Sequence, residues 1–314
     1  MQEQEAIKER KEKFKSWLKD KHNLGFLVIF IVAIAVRIYH FMLTKDQPMW
    51  WDEADYMAYS KTLAGFTSHW AITGGHVSIF PYVVALFFKI GLSDVAVRFF
   101  LELIPSIAIL LIVYKTCLLM YQDKRVAIVC LVVISVLWEF VFNTFRFHVD
   151  NPALLFAFLA IYVFWQGFER KEKIFGKINA NWAVPLTVVF SVMAYSLRRG
   201  YFLFFLFFLI YAFMTRNFKD LIKDKYNWIA AGLFFVLIAI FELTVSTQLI
   251  TQTSQQYFHP EKPISILMFQ VFGAYFKPVE HAWSGILFYL FWIGLALIVY
   301  SFVLHLGYFK KTEN

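Results

Sequence analysis

Long apolar runs separated by short charged turns fill most of the chain, and their lengths predict membrane-spanning helices rather than surface helices or alternating strands. Candidate spans are Leu24 to Leu43, Phe99 to Tyr121, Val126 to Thr144, Pro152 to Phe168, Trp182 to Leu197, Tyr201 to Met214, Trp228 to Gln248 and Trp283 to Leu306. Most approach the ~20 residues needed to cross a bilayer core of ~30 Å. A further stretch, Val77 to Leu92, is shorter, is interrupted by Pro81 and carries Lys89. It is expected to dip into the interface without crossing. The pattern therefore predicts an all-α polytopic membrane protein with about eight spans and a long outer loop over residues 44–97 that contains this helix.

Basic residues set the orientation. With Val77 to Leu92 outside the count, the loops around Lys124, Arg170 and Arg216 and the tail after Tyr308 hold 12 Lys and Arg, joined by seven between Lys8 and Lys21. The opposite loops hold five: Arg146, Arg198, Arg199, Lys262 and Lys277. The positive-inside rule then places both termini in the cytoplasm. Residues 1–23 read as a charged amphipathic segment on the membrane surface, and residues 24–314 as a single transmembrane domain. Under this topology Arg37, Glu102, Glu139 and Glu242 fall in the outer halves of their spans. Either they line an outward-opening cavity, or Arg98 and Glu102 pair on one helix face while Arg37 snorkels to the interface.

Composition supports the membrane class: 60% hydrophobic residues, 38 Phe and a mean hydropathy of +0.59 exclude an ordinary soluble enzyme. The net charge of +8 reports orientation here, and no nucleic-acid partner is implied. The charged residues before the first apolar run make that run a retained signal anchor. Cys117 and Cys130 fall inside apolar spans and read as packing residues. There is no Gly-rich phosphate loop and no nucleophile elbow, and the histidines lack ligand spacing, so no metal site is read.

Candidate chemistry sits in the outer loops. Met49-Trp50-Trp51-Asp52-Glu53-Ala54-Asp55-Tyr56 places an acidic cluster just beyond the first span. Asp52 and Asp55 also suit a helix start as cap and first-turn residues, and the paired Trp suit an interfacial aromatic belt. Arg146-Phe147-His148-Val149-Asp150 and Arg198-Arg199-Gly200 occupy two short outer turns. Arginine there runs against the orientation bias and suits bidentate phosphate recognition. The alternatives are an Arg146 to Asp150 pair one helical turn apart and headgroup contacts by Arg198 and Arg199.

Taken together, these residues resemble the GT-C membrane glycosyltransferases, in particular the protein O-mannosyltransferases and lipid A aminoarabinose transferases (glycosyltransferase family 39). The resemblance covers Leu24 to Phe168 and rests on five features: Asp52-Glu53 followed by Tyr56, His76 opening the dipping helix, Arg98 entering the next span, the turn Asp123-Lys124-Arg125, and the Arg146 to Asp150 tract. The family usually follows its histidine with two prolines, whereas Val77 and Ser78 follow His76 here. Of the oligosaccharyltransferase signature Trp-Trp-Asp-Tyr-Gly only Trp50-Trp51-Asp52 is present.

The resemblance implies a GT-C-like bundle and transfer of a sugar from a polyprenyl-phosphate donor to an acceptor hydroxyl at the extracytoplasmic face; the small size and lack of accessory domains point to a prokaryotic plasma membrane rather than an endoplasmic reticulum. It casts Asp52 as general base with Glu53 beside it. Arg98, Arg146, Asp150, Arg198, Arg199, His76 and Tyr56 become donor-phosphate or substrate ligands. No cofactor is required by that chemistry, and a divalent metal enters only in a metal-using variant. The expected partners are the lipid-linked donor, membrane lipid and an acceptor whose class is open. A flippase of lipid-linked sugar and a non-catalytic subunit on the same scaffold are the competing functions.

Overall fold

The apolar runs fold as helices, and among the described residues there is no β-strand, only one antiparallel bridge between Ile174 and Ile178. A computed structural model of the chain describes residues 2–50, 52–66 and 78–245. Trp51, His76, Val77, the segment Thr251 to Pro278 and the expected span Trp283 to Leu306 lie outside the described residues. The helices are α1 (Gln2–Leu18), α2 (Lys21–Thr44), α3 (Asp52–Ala64), α4 (Phe80–Lys89), α5 (Asp94–Arg98), α6 (Ile104–Tyr121), α7 (Lys124–Val136), α8 (Trp138–Phe142), α9 (Asp150–Val163), α10 (Ala183–Leu197), α11 (Phe202–Thr215), α12 (Phe218–Lys223) and α13 (Lys225–Val245). Five helical stretches among them are long and apolar enough to cross a bilayer: Lys21–Thr44, Asp94–Tyr121, Asp150–Glu169, Ala180–Leu197 and Lys225–Leu243. Lipid-type side chains stay on their outer faces, as at Phe235 and Leu243.

Two expected spans differ in detail. The one read as starting at Phe99 begins at Asp94 and passes through a π-helical turn, Phe99–Leu103, before α6. Pro105 has no N–H to return to the carbonyl four residues back, so the coil loosens there. The run Val126 to Thr144 is not one helix: Leu137 is extended (φ −64°, ψ 117°) and divides α7 from α8. No Gly or Pro causes the break. Arg37 from α2 inserts its guanidinium, donating to the carbonyls of Ile134 (3.2 Å), Ser135 (3.5 Å) and Ala33 (3.2 Å) and to Ser106 Oγ (2.9 Å). A side chain inserted into the backbone ladder is a recognised cause of a kink. Arg37 is 1% exposed, so it neither snorkels nor lines an open cavity; that expectation is corrected. Its charge is solvated by carbonyls that the broken helix leaves unpaired.

Val77 to Leu92 becomes α4, only 10 residues long and about 15 Å from end to end, half of a bilayer core. A helix so short does not cross. Its start is pinned instead: Ile79 N–H donates to the Ser196 carbonyl (3.0 Å) and Ser78 Oγ donates to the Leu197 carbonyl (2.8 Å). Those are orphan carbonyls at the C-terminus of α10, which would otherwise lack partners. Helix α3 ends at Gly65, whose φ of +92° only glycine adopts cheaply. α3 then packs against α4. Tyr59 and Tyr82 join the two helices with ring centroids 6.2 Å apart. Burial, and then the Tyr82 hydroxyl, push the Tyr59 hydroxyl up to about 12.

Ion pairs sort by the end of the bundle they occupy. Glu53 with Arg146, Asp150 with Arg198, and Arg199 with Glu242 lie at the end where α2, α8, α10 and α13 finish. Asp20 with Lys124 (2.6 Å) and Glu169 with Arg216 (3.5 Å) lie at the other. There Arg170 also donates to the terminal carbonyls of α6, Leu119 (3.0 Å) and Met120 (3.3 Å). The helices α6, α7 and α2 enclose one apolar core around Leu110 and Leu131. A second core around Ala160, Phe164 and Phe208 joins α9 to α10 and α11.

Candidate active site

A third apolar core underlies the acidic end of the bundle and explains why its polar groups meet. Tyr56 and Met57 of α3, Phe80, Val84 and Phe88 of α4, Phe147 and Val149 of the α8–α9 turn and Leu197 of α10 form one buried cluster. Tyr56 packs edge-on against Phe80 (5.4 Å) and Phe80 against Phe147 (5.1 Å). Hydrophobic burial of such rings, about 25 cal/mol per Å² of apolar area, locks three separate polar segments together. The segment starting at Asp52, the turn from Arg146 to Asp150 and the turn at Arg198 are thereby neighbours.

The pairs formed there are not those that sequence spacing suggests. Arg146 does not pair with Asp150; it forms an ion pair with Glu53, 4% exposed, and its Cζ lies 5.5 Å from the ring centroids of both Trp50 and Phe142. Cation–π contact of this kind adds to the pair and holds the guanidinium flat. Glu53 also accepts from the Trp50 N–H (3.2 Å). Trp50, expected in an aromatic belt, thus has a partner in the acidic cluster. Asp150 opens α9 and pairs with Arg198, and the His148 Nδ1 lies 3.4 Å from its second oxygen. The side chain of Arg198 remains 52% exposed.

Asp52 is exposed at the first position of α3, where the first turn also contains Glu53 and Asp55. Negative side chains there face the positive end of the helix dipole. The buried Tyr56 hydroxyl is held well above its ordinary range, first by burial, then by the charges of Asp52 and Asp150, with Arg198 opposing them. One neutral phenol therefore senses residues from all three segments.

Arg98 and Glu102 form the ion pair that helical spacing suggests, Nε to Oε1 at 2.9 Å, and both are buried at 4% and 0% exposed. The rest of the Arg98 guanidinium is also engaged. It donates to the carbonyls of Thr44 and Lys45 (3.0 Å each), at the end of α2, and to Phe145 (3.2 Å), next to Arg146. Arg199 reaches Glu242 at 3.5 Å, and the Tyr195 hydroxyl donates to the same carboxylate at 3.0 Å. The structure thus brings Asp52, Glu53, Tyr56, Arg146, Asp150 and Arg198 together, sets Arg98 beneath them and ties Arg199 to α13. Sequence reading missed the bonds of Ser78 to α10; their signal is the helix end at Leu197, whose carbonyls need donors. Among the described residues no three His, Cys, Asp or Glu side chains cluster as a metal site would need.

A helical bundle with apolar outer faces, whose carboxylates and guanidinium groups gather at one end beside a short non-crossing helix, defines an integral membrane protein with a polar site at the membrane edge. A family model described as dolichyl-phosphate-mannose-protein mannosyltransferase matches residues 76–245, more than half of the chain, and the chain belongs to that family. It is accordingly a membrane glycosyltransferase of the GT-C type, with mannosyltransferase-type activity. The matched stretch contains Arg98, Arg146, Asp150, Arg198 and Arg199, while Asp52, Glu53 and Tyr56 precede it. No curated protein and no solved structure matched the chain.

Proposed function

We propose that the protein transfers a sugar, of the mannosyl type, from a polyprenyl-phosphate donor to an acceptor hydroxyl at the extracytoplasmic face of the membrane, with Asp52 as general base. The observation that carries this reading is the shared core of Tyr56, Phe147, Val149 and Leu197, which makes the start of α3, the Arg146 to Asp150 turn and the turn at Arg198 neighbours, with Glu53 paired to Arg146 and Asp150 to Arg198. An acceptor hydroxyl is a poor nucleophile until a positioned carboxylate takes its proton. Asp52 takes that proton as the acceptor oxygen bonds to the anomeric carbon. The bond from that carbon to the phosphate oxygen breaks, and the lipid phosphate departs carrying the electron pair. Arg198, aimed by Asp150, and Arg146, held by Glu53, meet the charge that develops on the departing phosphate.

In this reading Glu53 and Arg98 are positioning residues. Glu53 acts through Arg146, and Arg98 acts by tying the end of α2 to the Phe145 carbonyl beside Arg146. The excess of basic residues at the Asp20 end supports an extracytoplasmic location for Asp52. The test is turnover of a synthetic polyprenyl-phosphate mannose by the purified protein in liposomes. Asp52→Asn should lower transfer by roughly 10²- to 10⁴-fold with only a small fall in melting temperature, since the exposed side chain gives up no more than a helix-dipole contribution of about 0.3–1 kcal/mol. Full activity of the variant rejects Asp52 as base. Movement of intact donor across the bilayer without sugar release rejects transfer altogether.

A further inference from the structure

At the end of the bundle opposite Asp52, an apolar cavity of about 460 Å³ opens between α10, α11 and α13. That volume falls within the roughly 300–1,000 Å³ typical of ligand pockets. Its wall runs along α13 from Asn227 to Phe235, about 12 Å at 1.5 Å per residue. The Ser191 hydroxyl on that wall is 1% exposed and has no hydrogen-bond partner among the described residues. A second, polar cavity of about 160 Å³ adjoins it, with Phe168, Val184, Leu221 and Asn227 lining both.

The polar part has a particular charge pattern. Lys171 Nζ and Arg216 Cζ each lie 5.0 Å from the centroid of the Phe168 ring. Both cations thus lie against the ring that lines the two cavities. Burial, and then the charge of Arg216, depress the Lys171 ammonium, while Glu169 and Asp224 oppose the shift. Across the same opening stand Asp220 and Asp224. Glu169 pairs with Arg216 at 3.5 Å, and Asp224 Oδ1 accepts from the Tyr226 N–H at 2.9 Å. Such an opening suits a group with a negative and a positive end better than a purely anionic one, which would face the carboxylates of Asp220 and Asp224.

We propose that these adjoining cavities bind one aminophospholipid of the leaflet opposite the Asp52 site, with an acyl chain among α10, α11 and α13, its phosphate at Lys171 and Arg216, and its primary amine at Asp220 and Asp224. The site is separate from the donor site and stands whether or not the transfer reaction above is correct. It links the turn after α9 to α12 and α13, so an occupied site braces that end of the bundle.

The test is native mass spectrometry of the delipidated full chain in detergent with phosphatidylethanolamine, phosphatidylglycerol or phosphatidylcholine at equal concentration. The phosphatidylethanolamine adduct should predominate. Asp220→Asn should remove that preference, and Lys171→Ala should weaken binding by roughly two- to fivefold, the range for a partly exposed ion pair. Both side chains are exposed, so the lipid-free melting temperature should hold and only the lipid-dependent rise should shrink. Equal adducts for all three headgroups overturn the proposal, as does undiminished binding by both variants. Absence of any adduct also overturns it.

Discussion

Arg98→Ala is the most direct test of how the polar end is held together. The substitution removes one member of an ion pair in which both side chains are almost wholly buried, leaving the Glu102 carboxylate without its cation. Breaking a buried pair from one side costs about 3–5 kcal/mol. The carbonyls of Thr44, Lys45 and Phe145 also lose a donor. All three residues are partly exposed, so water at the membrane edge replaces much of that loss. The ion pair therefore sets the scale, about 4 kcal/mol. At roughly 2–4 °C per kcal/mol for a chain of this size, the melting temperature in detergent should fall by about 8–16 °C. Replacing both residues, Arg98→Met with Glu102→Leu, removes the stranded charge and should recover a large part of the fall, giving a coupling of about 2 kcal/mol in a double-mutant cycle. The assay is thermal unfolding followed by size-exclusion chromatography at matched heating rates. A fall of less than about 3 °C for Arg98→Ala, or additivity of the two single variants, would refute the reasoning.

Three other substitutions probe separate parts of the molecule. Gly167→Ala should destabilise by about 1–3 kcal/mol through overpacking, because its Cβ would meet the Ala183 Cβ at 2.5 Å and the Ala180 carbonyl oxygen at 3.0 Å; a melting temperature equal to wild type counts against the close approach. Arg198→Lys keeps the charge but loses the planar fork that meets the departing phosphate, so it should lower kcat more than it raises the apparent KM for the lipid-phosphate donor, read from transfer rates at varied donor. Asp20 is held below its ordinary value of 3.8, chiefly by the hydrogen bond from Lys124. A carboxyl depressed in the folded state stabilises above its unfolded value and loses that contribution as pH falls through the folded one. The gap in melting temperature between wild type and Lys124→Met should therefore be present at pH 6 and shrink below pH 4; a constant gap argues against the pair.

Which features could be read from the chain follows from how local each one is. Arg98 and Glu102 sit on continuous helix, so spacing of four implied their contact correctly. Arg146 and Asp150 have the same spacing, yet α9 begins only at Asp150 and the preceding turn is not helical. Spacing of four has no meaning there, and Glu53 and Arg198 become the partners through the Phe80 and Phe147 core. Arg37 misled for a related reason: a cation in an apolar run gives no sign that a break in another helix will offer it carbonyls.

Local composition alone determined the class, the placement of most spans, the non-crossing α4 and the segregation of acidic and arginine-bearing turns to one end, because bilayer thickness and the cost of unpaired backbone groups in lipid leave few alternatives. The partner of each charge was decided only in three dimensions. Apolar packing between segments far apart in the chain brings the start of α3, the Arg146 to Asp150 turn and the turn at Arg198 together, and packing of that kind depends on the shapes of several helices at once, which no single stretch of sequence specifies.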